Sequence, residues 1–313
     1  MTGPDRPDEA VLGDSGRAGP LPGGPPASYQ PAFRESEWWR RWDRFRRNRI
    51  ALISLVFVVL LIVVAVAAPL IAPYPYDKPD YLNLLAPAFS KGHLFGTDDL
   101  GRDVLSRLLY SLRTALIVAF GAQFAALVFA LLVGTVAGYR GGRLEQLLMG
   151  ITDIMFAFPG YLFAVVMVTV MGRSTWAIIL AIAITSWVEQ ARLVRAQVLK
   201  LSSQEYVEAG RAAGASGPTQ VLRYILPNAL GPILVATSFG IPSAMLAESG
   251  LALLGLGVAP PTPSWGSMII DGYSQILSDP HLIIAPLTLF GLAMLAFTWI
   301  GDGVRDAFDV GRD

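Results

Sequence analysis

The chain offers little to catalysis, and what it offers is mostly carboxylate. It has no cysteine among its 313 residues, which removes thiolate nucleophiles, disulfides and cysteine-based metal sites together. Its two histidines, His93 and His281, stand in separate stretches, and neither belongs to the His-Glu-x-x-His spacing that puts two imidazoles on one helix face for zinc. Each reads as a surface or interface residue. No Gly-x-Ser-x-Gly elbow presents a nucleophilic serine. A phosphate cradle needs Gly-Lys-Ser/Thr closing a glycine-rich turn, whereas Lys91-Gly92 runs in the wrong order. Any nucleotide must therefore be bound by another polypeptide. Two groups of carboxylates stand out. Asp153, Glu189 and Glu248 border apolar runs, and Glu205 and Glu208 lie in a polar stretch.

A carboxylate at membrane depth is costly and points to a solute path by default. Asp153, Glu189 and Glu248 either face such a path, where they would meet a charged end of a solute, or lie close enough to an interface to reach water or a neighbouring helix. Asp153, on the expected cytoplasmic side, suits a contact with the polar stretch better than one with cargo.

The elements that must position these groups are apolar. Hydrophobic residues make up 53% of the chain and charged ones 15%, against about a quarter charged in ordinary soluble domains. Lipid is the natural solvent for such a chain. Its formal net charge of zero leaves no basic excess for nucleic acid. Residues 1–33, rich in Pro and Gly, predict a disordered cytoplasmic tail with no secretory signal pattern. In 34–49, Trp38, Trp42 and Phe45 fall at helical spacing among arginines; this suits a helix at the headgroup layer, or a basic flank that orients the first span. That span occupies 50–73: Ile50–Ala72 is uncharged over 23 residues, roughly 34 Å of helix, enough for a ~30 Å hydrocarbon core.

Five more spans are predicted within a core covering 114–303: Ala115–Ala137, Ile151–Met171, Trp176–Val188, Ala229–Ala247 and Ile283–Ile300; Trp176–Val188 is short for a membrane and either extends to Glu189 or beyond, or tilts little. Residues 304–313 form a C-terminal tail. The intervening segment 74–113 reads as an extracytoplasmic loop carrying an amphipathic helix from Val104. Pro260-Pro261-Thr262-Pro263 cannot continue a helix and predicts an extended outer loop, with Trp265 at the headgroups or against a partner. Gly121, Gly134, Gly138, Gly240 and Gly291 are expected to let helices approach closely. With the N-terminus inside, cytoplasmic loops hold 16 Lys and Arg against six in external segments, the asymmetry that fixes orientation. Six spans then put both termini in the cytoplasm.

The polar stretch, 202–228, carries the function. Ser202 three residues ahead of Glu205 reads as a capping box, Gly214 as the left-handed helix stop, and Pro218 as the first turn of a second helix that ends near Pro227. Small residues around Glu208 (Ala209, Gly210, Ala212, Ala213) would let another surface approach the backbone. The hairpin is either a docking knob or a partnerless loop on spacing alone.

Glu208-Ala209-Gly210-x3-Gly214-x9-Tyr224-Ile225-Leu226-Pro227 resembles the EAA loop of ATP-binding-cassette importer permeases. Phe95–Arg107, Ala157–Gly160, Ala191–Arg195, Leu253–Gly266 and Gly301–Asp306 resemble its dipeptide/oligopeptide branch, in the same order from about residue 45 to 309, and are similar to the second permease of such operons. Gly210 stands where Ala is usual, and Tyr224 where Ile or His is common; Gly210 should loosen its helix by about 1 kcal/mol relative to Ala. The resemblance implies an all-α, six-span type I importer permease, with Glu205, Glu208, Ala209, Gly210 and Gly214 coupling it to an ATPase. It implies a homologous second permease, two ATPase subunits and an extracytoplasmic binding protein as partners, no nucleic acid, and ATP and Mg held by the ATPases with no cofactor in this chain. Nickel and glutathione importers share these motifs. From a different class, an ion-coupled secondary transporter would need more intramembrane carboxylates and an internal repeat, and a membrane scaffold would move no solute.

Overall fold

The computed structural model describes residues 37–309, and among them there is no β-strand, only two isolated bridges. The expected disordered tail 1–33 and residues 310–313 lie outside the described residues. The helices are α1 (Glu37–Arg47), α2 (Arg49–Ile71), α3 (Val104–Arg140), α4 (Gly142–Ala157), α5 (Gly160–Met171), α6 (Thr175–Ser202), α7 (Glu205–Ala212), the single turn α8 (Gly217–Thr219), α9 (Leu226–Leu253), α10 (Trp265–Ser274) and α11 (His281–Phe308). A π-helical turn, Gln220–Ile225, joins α8 to α9, so Gly217–Leu253 is one rod. That rod, α2, α3, α6 and α11 are each long and apolar enough to cross a membrane.

The third expected span is broken. Ile151–Met171 is divided between α4 and α5, which meet at 86°. Proline disfavours helical backbone in the residue before it, and Phe158, ahead of Pro159, is extended at φ −83°, ψ 136°. Helix α4 lies across α6: Glu145 pairs with Arg195 and Asp153 with Arg192, so eight residues of α4 advance only three along α6. The fourth span is far longer than Trp176–Val188. No Gly or Pro interrupts Thr175–Ser202, and the helix runs through its polar residues for 28 residues. The helix from Val104 is the start of α3 itself, a continuous 37 residues. Helix α10 has no counterpart among the expected elements, and residues 304–308 complete α11 where a tail was expected.

Close approach between α3 and α6 sets the centre of the bundle. A Cβ on Gly134 would stand 2.5 Å from the Ala191 carbonyl oxygen, and one on Gly138 2.8 Å from that of Arg195. The matching order of these contacts makes α3 and α6 parallel. Gly121 meets Ile179 and Gly240 meets Gln123 in the same way, whereas Gly291 faces open space. Helix α2 buries one stripe, Ala51, Ser54, Val58, Leu61, Ala65 and Ala68, whose three-and-four spacing marks a helix packed on one side only. It is peripheral, as expected. Helix α1 docks through Phe45, buried beside Ala51 and Ala307, while Asn48 caps α2 at Ala51 and donates to Asp306.

These directions sort the connections to two ends. One end gathers α1, the close of α3, the α6–α7–α8 turn and the close of α11. The other gathers residues 74–103, the α5–α6 turn and α10.

Candidate functional site: the α7 turn and the cavity beside α6

Helix α7 starts without the expected box. Ser202 is the last residue of α6 and its hydroxyl donates back to Leu199; Gln204 is the N-cap and gives no side-chain cap. A helix still in progress at Ser202 has no free N–H groups there to cap. Glu205 and Glu208 occupy the first turn, where carboxylates favour the positive end of the helix dipole. The stop is as expected: Gly214 has φ +87°, Ala215 N–H donates to the Gly210 carbonyl and Gly214 N–H to that of Arg211, the paired bonds of a Schellman closure.

One face of α7 is open and the other is socketed. Glu205, Glu208, Ala209, Ala212 and Ala213 are exposed, whereas Val207 is fully buried, packed with Val194, Val198, Ile225, Ala229 and Ile233. Gln220, also buried, ties the turn together. Its amide oxygen accepts from Tyr139 at 3.1 Å and Arg211 at 3.4 Å, and its nitrogen donates to the Ala215 carbonyl at 2.8 Å. Partial desolvation pushes the Tyr206 phenol up. The two departures from the family pattern touch each other: a Cβ on Gly210 would lie 2.7 Å from Tyr224 Cε2. Glycine here makes room for the ring.

The second arm of the hairpin does not end near Pro227. Proline cannot donate to a helix ladder and its ring crowds the carbonyl four residues back. Ahead of it the chain widens to a π turn in which Leu226 N–H reaches Val221 O, and Asn228 supplies a donor to the Tyr224 carbonyl at 2.6 Å. The helix continues.

A cavity of about 560 Å³ opens between α5, α6 and α9, with Tyr161, Thr185, Ser186, Glu189, Gln190 and Ser243 in its wall. Behind it, Gln190 and Gln123 exchange amide hydrogen bonds at 3.1 and 3.2 Å. Of the three carboxylates flagged near spans, only Glu189 lines this space. Asp153 is paired with Arg192 at 2.7 Å, off the α7 turn. Glu248 is 2% exposed, and its Oε1 is buried without a hydrogen-bond partner; it faces the start of α10 at Ser264. There Ser264 and Ser267 form a true capping box that turns Trp265 inward. Trp265 is fully buried, edge-on to Phe290, and is core instead of a headgroup residue. His93 is likewise buried, with Nδ1 2.9 Å from Asp103, and is not a surface group; His281 is half-buried, its Nε2 buried without a partner. Val207, Gln220, Tyr139 and Gln123 escaped sequence reasoning, since single residues at helix ends or mid-helix carry no spacing signal.

An all-helical membrane bundle with a docked helix projecting from one end is the architecture of an importer's membrane component. The chain matches the family "Binding-protein-dependent transport system inner membrane component" over residues 130–311 and "N-terminal TM domain of oligopeptide transport permease C" over residues 36–88. It is 38% identical to the oligopeptide transport system permease protein OppC of Bacillus subtilis, covering 85% of this chain and 87% of that protein. It is 37% identical to the dipeptide transport system permease protein DppC of Alkalihalophilus pseudofirmus, covering 93% and 95%. It is 41% identical to the glutathione transport system permease protein GsiD of Shigella dysenteriae, covering 87% and 90%. The inward-facing MetNI methionine ABC transporter shares the fold, with a TM-score of 0.54 at 20% identity over 65% of this chain and 97% of that one. The chain belongs to the ABC importer permeases of the dipeptide/oligopeptide family.

Proposed function

We propose that this chain is one of two membrane halves of an ATP-driven importer of short peptides, and that α7 receives force from a separate ATPase subunit. The observation that carries the reading is the two-faced α7: an open acidic and small-residue face, with Val207 sunk into the bundle behind it. Such a helix presents backbone and two carboxylates to a partner while its other side pushes on α6 and the 217–253 rod. The arginines of α1 and of the α6–α9 turn gather at the α7 end, which supports a cytoplasmic α7 and cytoplasmic termini. The partners are a homologous second permease, two ATPases that bind ATP and Mg, and an extracytoplasmic binding protein. The chain itself breaks no bond. Closure of the ATPases around nucleotide shifts α7, the spans rock to open the cavity outward, and hydrolysis resets them.

Relatives named for oligopeptides and dipeptides support a peptide cargo. The glutathione relative, at 41% identity, favours a second reading in which the cargo is that one tripeptide.

The test is the purified assembly in vesicles carrying Glu208→Lys. ATP hydrolysis stimulated by loaded binding protein is expected to fall at least about tenfold, the loss of one charge-assisted contact or more. Hydrolysis and uptake at wild-type rates would remove α7 as the coupling element. Uptake that survives without the ATPases would favour an ion-coupled carrier.

A further inference from the structure

We propose that Glu189 is a cation contact within the transport path, receiving the ammonium group of a peptide cargo inside the membrane. The inference rests on the permease reading above and assigns a ligand chemistry to its cavity.

Depth comes first. Val188 was the expected end of a span, which would leave Glu189 at an interface. In the structure it stands at the centre of α6, fourteen residues from Thr175 and thirteen from Ser202. At 1.5 Å per residue that is about 21 Å along the helix from Thr175, inside a ~30 Å hydrocarbon core. An ionised side chain at such depth is costly unless it meets water or a partner, and is a functional position by default.

Its surroundings supply water access and no partner. Glu189 is exposed to the 560 Å³ cavity, and among the described residues it is the one charged side chain in that wall. It also borders a second cavity of about 270 Å³ on the other side of the Phe158-Pro159 break, so the carboxylate stands where the two spaces adjoin. The neighbouring groups that would neutralise it are engaged elsewhere. Gln190 is bonded to Gln123 in both directions. Arg192 is paired with Asp153 and stacked over Phe156 at 4.2 Å. The rest of the polar wall is neutral: Thr185 and Ser243 donate back to their own helices and can accept from a peptide N–H, and Ser186 and Tyr161 add further hydroxyls. A lone carboxylate among hydroxyls selects for an ammonium group and is indifferent to side chains. Dipeptides, oligopeptides and glutathione all carry that group.

The experiment uses the whole assembly, with its ATPases and binding protein, in vesicles. Glu189→Gln is expected to lower peptide uptake about tenfold, while ATP hydrolysis stimulated by loaded binding protein stays within about twofold. Glu189→Asp, which keeps the charge, is expected to retain most of the uptake. An N-acetylated tripeptide, which lacks the ammonium group, should be taken up poorly by the wild-type assembly and lose little more in the Gln variant. Uptake by Glu189→Gln within twofold of wild type would overturn the proposal. So would loss of assembly or of hydrolysis in step with uptake, because Glu189 would then be a structural tie to the second permease. Failure of the permease reading looks different: the wild-type assembly itself would show no ATP-dependent uptake.

Discussion

At the end of the bundle built from residues 74–103 and α10, charge is buried. Asp98, Arg102, Asp103 and Arg107 are each less than a tenth exposed. Asp98 accepts from the Leu100 and Arg102 backbones and from Arg102 Nε at 2.7 Å, with Arg107 Nε 3.3 Å away. Asp103 caps α3 at Ser106 and holds His93. Helix α7 is held otherwise, by an apolar socket around Val207 and one amide, Gln220. Hydrogen-bonded charges are directional and have one good geometry; apolar contact is non-directional and tolerates small rotations. The contrast teaches that the charged motif Phe95–Arg107 is a fixed corner, and that α7 is seated so that it can turn.

Breaking the corner should cost most. Asp98→Ala leaves Arg102 and Arg107 buried beside a missing partner, and about 3–5 kcal/mol is expected, read as loss of folded protein recovered in detergent. Wild-type recovery would mean the corner is solvated. At the other end, Gly210→Ala sharpens the comparison through its sign. Against Tyr224 the added methyl overpacks, costing about 1–3 kcal/mol, whereas in a Tyr224→Leu background the same change should gain about 1 kcal/mol of helix propensity. Hydrogen exchange of residues 205–215 in the four variants reads the cycle, and equal effects in both backgrounds would refute the contact. The smallest effect is Gly214→Ala, about 1 kcal/mol for a side chain at positive φ, seen as faster exchange confined to the α7 turn, with none at residues 95–107.

Much of this was legible from hydropathy and turn chemistry. Ile50–Ala72 differs from α2 by one residue at each end, because an unbroken apolar run before Pro73 has few other solutions. Gly214 and Pro218 were readable because each does something few other residues can. Polar residues inside a helix misled: Glu189, Gln190 and Arg192 looked like the end of a span, yet helix continues through them because nothing there breaks it, a cavity receives Glu189 and Gln190, and Asp153 and Phe156 receive Arg192. Ser202 and Glu205 had the spacing of a capping box in a place where the preceding helix had not stopped. The break at Pro159 was visible as a proline, but its 86° angle depends on α4 crossing α6 through pairs remote in sequence. The contact between Gly210 and Tyr224 is likewise tertiary, and only its two halves could be noticed separately.

The π turn before Pro227 has a consequence for the cavity wall further along the rod. A π turn holds one residue more than a regular turn would use, and each residue of a regular helix rotates it by about 100°. Because the wide turn absorbs that residue, removing one from Gln220–Ile225 would let the rod regularise and leave the faces of α9 where they are. Removing one between Pro227 and Pro242, past the π turn, would swing everything after it by about 100° and carry Ser243 off the wall it shares with Glu189. The surplus residue beside α7 is thus unfelt some twenty residues on.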